Sequence, residues 1–124
     1  MVKRARNLEP AYLAKRGSYE RLTSTIPGVE CKGDANPYTS VNGHMFSYLH
    51  PSGSMALRLP SPEREAFLRE FATTLFQAYG VVQKEYVAVP DKLLANTTHL
   101  QAFFELSYRY ASALRPKSGG KTSN

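Results

Sequence analysis

The sequence predicts an α+β fold: an antiparallel β-meander, at about 38–41, 44–50 and 55–59, with helices packed against it. Three observations predict it. Asn42-Gly43 stands between two strand-like runs, and Asn-Gly is the favoured pair for a type I′ hairpin turn because both central residues need positive φ. Pro51-Ser52-Gly53-Ser54 then reverses the chain into Met55-Ala56-Leu57-Arg58-Leu59, where large apolar residues alternate with Ala and Arg. Elsewhere, apolar residues recur at helical spacing in segments that open or close on proline.

Residues 1–10 are polar and basic, end in Glu9-Pro10, and are expected to be loosely held. An N-terminal helix is predicted from Pro10 or Ala11 to Ile26. Proline suits its first turn, Tyr12, Leu13, Leu22 and Ile26 supply apolar positions, and Pro27-Gly28 stops it. Gly17 leaves open a split into two shorter helices. Residues 29–37 are too rich in Gly, Asp, Asn and Pro for a helix, and strand character begins at Tyr38. A loop of two or four residues at 51–54 would set Tyr48 opposite Leu57 and Phe46 opposite Leu59. One face would then carry Phe46, Tyr48, Met55, Leu57 and Leu59, and the other Met45, Ser47, Leu49, Ala56 and Arg58.

A middle helix is predicted at 62–78. Ser61 can cap it, Pro62 fits the first helical position, and Glu63 and Glu65 suit the positive end of the dipole. Phe67, Leu68, Phe71 and Leu75 form its apolar stripe, and Gly80 closes it. A further strand lies near 84–89, apolar on both faces and so expected to be covered on both, with Val81-Val82 strand-like ahead of it and Pro90-Asp91 at its end. A C-terminal helix at 98–114 presents Leu100, Phe103, Phe104, Ser107, Ala111 and Leu114, and the small Ser107 and Ala111 would admit close packing on the sheet. Pro116 stops it.

The 124 residues suit one domain, placed at 11–115 between a basic N-terminus and a polar basic tail at 116–124. A chain of this size buries roughly two-thirds of its unfolded surface, enough for a core without staples. Cys31 is the single cysteine and cannot close an internal disulfide, and no signal-like apolar segment opens the chain, so a cytoplasmic location is expected. No run of eighteen apolar residues offers a membrane span. The net charge of +6 gathers at the ends, in Lys3, Arg4, Arg6, Lys15, Arg16 and Arg21 and again in Arg109, Arg115, Lys117 and Lys121. Basic arms of this kind hold nucleic acid or anionic lipid, or simply keep a protein soluble.

Gly119-Gly120-Lys121-Thr122 has the ending of a phosphate-binding loop, but position 115 is Arg where the motif needs Gly, and no helix can follow. His44, His50 and His99 form no metal-ligand spacing, so no metal or cofactor is expected. Cys31 beside Glu30 and Lys32 lacks an ordered base, and Glu63, Glu65 and Glu70 belong on the solvated side of a helix. No catalytic residue is assigned. The densest cluster of turn residues runs from Lys32 to Phe46. As a ligand site it would use Lys32, Asn36, Tyr38 and His44; as plain structure, Gly33, Gly43 and Asn36-Pro37 would only shape turns.

The order of elements resembles the TfoX/Sxy N-terminal domain family. The resemblance rests on Tyr38 to Val41, Asn42-Gly43, Met45-Phe46, Gly53 and Leu57-Arg58-Leu59. It resumes in Tyr86-Val87-Ala88-Val89-Pro90-Asp91-Lys92-Leu93-Leu94, Leu100, Ser107, Tyr108 and Ala111. It covers roughly 18–115. The family commonly has Met-Phe-Gly ahead of the first hairpin, where Cys31 to Pro37 stands here, and the helix-hairpin-helix C-terminal domain of competence regulators is not found in this sequence. The closing pattern also looks like the related MmcQ/YjbR group, for which winged DNA contact has been suggested. The resemblance implies an α+β domain that regulates through partners and brings no catalytic residues with it.

The leading expectation is therefore a non-enzymatic binding or regulatory module for a protein or small ligand. A second is nucleic-acid binding through Lys3, Arg4, Arg6, Arg58, Arg115, Lys117 and Lys121, with the hairpins as wings. A third is an enzyme or ligand binder using the loop 32–44. A homodimer through a sheet edge or through Tyr108 and Tyr110 is compatible with all three, and no membrane partner is expected.

Overall fold

A computed structural model describes residues 9–116. The elements run α1 (Pro10–Thr23), β1 (Tyr38–Val41), β2 (His44–Leu49), β3 (Met55–Arg58), α2 (Ser61–Glu70), β4 (Leu75–Ala78), β5 (Val81–Val89), α3 (Asp91–Ala95) and α4 (Thr97–Ala113). The strands form one antiparallel sheet in the order β1-β2-β3-β5-β4. All four helices send side chains into one core with the sheet: Tyr12, Tyr19 and Leu22 from α1, Phe67 from α2, Leu93 and Leu94 from α3, and Leu100, Phe104 and Ala111 from α4. This is the α+β solution of segregating helices on one face of an antiparallel sheet. Among the described residues, no helix is long and apolar enough to cross a membrane.

The helix starts follow their prolines. Pro10 and Pro62 sit in the first turns of α1 and α2, where the missing N–H costs nothing, and α1 runs unbroken through Gly17. α1 ends at Thr23, short of Ile26. α3 is an additional element that the sequence pattern does not predict. It is a single turn that follows Pro90 directly.

The middle helix is shorter than expected. It stops at Glu70, because Ala72 takes φ 50° and the Leu75–Ala78 segment is a strand. Thr73 and Thr74 tie that segment to β5, with the Thr73 hydroxyl donating to the Ala88 carbonyl at 2.7 Å and the Ala88 N–H donating to the Thr74 carbonyl at 2.9 Å. Leu75 therefore belongs to a hairpin. The turn of that hairpin is Tyr79-Gly80, with φ of 55° and 75°, the positive pair that a two-residue type I′ loop demands.

The meander's register also departs from expectation, by one residue. Ser47 faces Leu57, Tyr48 faces Ala56 and Leu49 faces Met55. The connecting loop has three residues, Pro51 to Gly53: the His50 N–H donates to the Ser54 carbonyl, and Gly53 carries φ 94°. An odd loop shifts every pair by one relative to a loop of two or four. A bulge adds a second change. β1 pairs Thr39 with Ser47 but Ser40 with Met45, so Phe46 is an extra residue and both Phe46 and Ser47 point toward the helices.

Both carbonyls of the bulge find partners outside their own strand pair. Its Met45 carbonyl accepts from the Tyr86 hydroxyl at 2.7 Å, and its Phe46 carbonyl accepts from the Ser107 hydroxyl of α4 at 3.2 Å. Ser107 is thus small enough for α4 to approach and polar enough to close the bulge. Ser47 in turn bonds the Tyr19 hydroxyl at 2.7 Å and the Thr39 hydroxyl at 2.6 Å, a buried chain joining α1, β1 and β2.

Candidate binding groove

The slipped register and the bulge turn Tyr48 away from the helices, onto a face that none of them covers. There it joins Ala56, Phe76, Ala78, Tyr86 and Ala88 in a second, smaller cluster. In a flat sheet β2 and β4 would lie about 14 Å apart, three strand spacings. Yet the Tyr48 and Phe76 rings are 5.4 Å apart, and the Tyr48 hydroxyl donates to Gln83 Oε1 at 2.9 Å. The β4–β5 hairpin therefore curls back over this face. Its hinge is the irregularity in β5: Leu75 faces Val87 but Phe76 faces Gln83, so Lys84, Glu85 and Tyr86 are extra residues that bend the strand.

Between the curled hairpin and the β1–β2 side lies a groove of about 310 Å³. Its walls include Asn36, Tyr38, Tyr48, His50, Tyr79 and Gln83, with Pro37, Met45 and Pro51 alongside. Beyond Phe76, a second recess of about 550 Å³ is lined by His50, Thr74, Gln77 and Val82. The His50 ring sits 5.9 Å from Phe76 and 5.6 Å from Tyr79. The Ser52 backbone N–H donates to His50 Nδ1 at 3.0 Å, so in the neutral ring the proton belongs to Nε2. Burial pushes the Tyr48 phenol up to about 12, with Tyr86 and Tyr79 adding to the shift, so it is a neutral hydrogen-bond donor at physiological pH.

The candidate residues read from the sequence separate. Asn36 and Tyr38 line the groove together. They are set there by Gly33 at φ 79°, whose added Cβ would collide with the Asn36 carbonyl. Lys32 pairs its backbone with Tyr38 and sends its ammonium to the Ser40 hydroxyl at 3.1 Å. His44 lies elsewhere: its Nε2 bonds the Arg115 carbonyl at 2.7 Å, while Asn42 Nδ2 donates to the Ser112 carbonyl at 2.9 Å, so the Asn42-Gly43 turn caps the end of α4.

Arg58 is also engaged internally. It pairs with Glu85 at 2.7 Å, and its guanidinium lies 6.0 Å from the Tyr86 ring centre and 5.7 Å from that of Tyr110. Arg115 is exposed. Lys3, Arg4, Arg6, Lys117 and Lys121 lie outside the described residues. Burial pushes the Cys31 thiol up and Glu20 adds to this, with Arg16 opposing, which disfavours the thiolate a nucleophile would need. Among the described residues, no group of three or more His, Cys, Asp or Glu could hold a metal ion.

Sequence reasoning missed Tyr48 as an outward residue, and with it His50, Tyr79 and Gln83. The signal was present in Tyr79-Gly80, a turn pair flanked by Leu75-Phe76-Gln77-Ala78 and Val81-Val82-Gln83. The apolar spacing of Phe67, Phe71 and Leu75 masked it by continuing the helical period. No protein-family model, curated protein or solved structure matches this chain.

Proposed function

We propose that this chain is a non-enzymatic binding module of TfoX N-terminal type, and that its working surface is the groove between the β4–β5 hairpin and the β1–β2 side of the sheet. One observation carries the reading. The helices all pack on one face, and the opposite face is given a shaped, uncharged aromatic hollow by a hairpin that curls over it. A core needs no such hollow; recognition does. The kinship is supported by the order of elements, a helix, a three-stranded meander and a helix that packs on it near the end of the chain. The cytoplasm is the compartment that accords with a lone cysteine.

The side chains at hand favour binding over turnover. His50 has its Nδ1 committed to the turn, Tyr48 and Gln83 hold each other, and the groove's lining has no carboxylate to orient a base. The nucleic-acid reading rests on the two basic ends, and its one residue within the sheet, Arg58, is held by Glu85. The test is amide chemical-shift mapping of the labelled protein against a mixed panel of neutral aromatic fragments. Shifts gathered at 36–38, 48–50 and 78–83, and lost in Tyr48→Ala, are expected. Shifts confined to other surfaces, or substrate turnover that depends on Cys31, would defeat the reading.

A further inference from the structure

The hydrogen-bonding character of the groove narrows what it takes. Its free polar side chains can all donate, and two of them, the Gln83 amide N–H pair and His50 Nε2–H, donate only. Tyr48 spends its hydroxyl proton on the Gln83 carbonyl oxygen, which leaves the Gln83 amide N–H pair as the available end of that side chain. His50 accepts at Nδ1 and so offers Nε2–H. The hydroxyls of Tyr38 and Tyr79 have no hydrogen-bond partner among the described residues. No Lys, Arg, Asp or Glu lines the hollow, so nothing there selects for charge.

Tyr79 adds an independent observation. It stands at the first position of the type I′ turn with φ 55°, where Asn, Asp or Gly is favoured and a bulky residue is strained. Tyr79 is 87% exposed, so little of its surface is repaid by burial in the fold. Val81 beside it is 59% exposed. Strain retained at an exposed aromatic tip is the pattern of a residue kept for contact with something else.

Resting on the groove reading above, we infer that the occupant is a proline-rich peptide segment in the polyproline II conformation. Such a segment is uncharged, presents flat apolar rings to aromatic walls, and has backbone carbonyls but no proline N–H groups. It is an acceptor-only ligand for a groove whose free polar side chains can all donate. Its extended form is preset, so docking on an open hollow costs little ordering. Tyr79 and Tyr38 grip its rings, and the Gln83 amide and His50 Nε2–H bond its carbonyls.

The experiment titrates the labelled protein with decaproline, a Gly-Ser peptide of equal length, and indole as a small neutral aromatic. Decaproline is expected to shift the amides of 36–38, 48–51 and 78–83, with an affinity that added salt leaves unchanged and that the Gly-Ser peptide does not match. Tyr79→Asn is expected to weaken decaproline about tenfold while raising the melting temperature, a combination that separates lost contact from lost folding. Indole shifts at the groove without decaproline shifts would overturn the peptide inference and leave the groove standing as a small-ligand site. Silence from both probes would remove the groove reading as well. Decaproline shifts elsewhere, or unchanged affinity in Tyr79→Asn, would also refute the inference.

Discussion

The two faces of the sheet are made by the same strands, yet they differ in kind. Toward the helices, Phe46, Leu49, Met55, Leu57 and Val87 are shut away from solvent and meet aliphatic and phenyl neighbours. On the opposite face, Tyr48, His50 and Tyr86 keep polar tips, and the cover is a curled hairpin. The apolar face holds the fold together by burial, whereas the aromatic face gives up part of that burial and leaves an open hollow edged with hydrogen-bonding groups. Substitutions on the two faces should therefore separate stability from binding.

The sharpest break is Phe46→Ala. It removes a fully buried ring 5.4 Å from Phe104 and leaves a cavity at the bulge, so denaturant unfolding is expected to show a loss of about 3–5 kcal/mol. If the loss is under about 1 kcal/mol, the helix-covered face is not the stabilising one. Ser107→Val is next. The branched side chain crowds α4 against β2 and leaves the Phe46 carbonyl unpaired, at an expected cost of about 2 kcal/mol by the same measurement. Ser107→Ala should cost less, which would divide crowding from the lost bond.

On the aromatic face the sign reverses. Tyr79→Asn relieves positive-φ strain and is expected to stabilise by about 1 kcal/mol, read as a raised melting temperature. A destabilised variant would mean that the Tyr79 ring supports the fold through His50. The smallest effect concerns Glu85, at the rim between the faces. Burial alone would raise its carboxyl, but the hydrogen bond and charge of Arg58, helped by Tyr110, outweigh this and hold it below its ordinary value of 4.5. A lowered folded-state pKa contributes stability above 4.5 that is lost as pH falls through the folded value. Since Glu85 is over a third exposed, the loss is expected to stay within about 1 kcal/mol. Acid unfolding curves of wild type and Glu85→Gln should converge at low pH; parallel curves would show that the pair does not respond to protonation.

Much of this architecture is written in local chemistry. Asn42-Gly43 makes its hairpin because only positive-φ residues fit that turn, and the prolines at 10, 62 and 90 set the helix boundaries near them because they lack an N–H and fix φ. The run at 97–113 folds as a helix on its own apolar period. Asn36 and Tyr38 could be singled out because turn residues meet a strand there.

Other features depended on neighbours distant in sequence. Residues 75–78 fit a helical stripe as well as a strand, and pairing with β5 decided between them. The face taken by Tyr48 turned on a three-residue loop and an extra Phe46. Ser107, Tyr86 and Arg58 make that bulge tolerable by bonding its carbonyls from other parts of the chain. His50, Tyr79 and Gln83 line one groove only when β5 bends. Short-range sterics choose turns and helix ends within a few residues. Register and curvature are chosen by where buried polar groups find partners and apolar ones find cover, and those partners are supplied only once the whole chain has assembled.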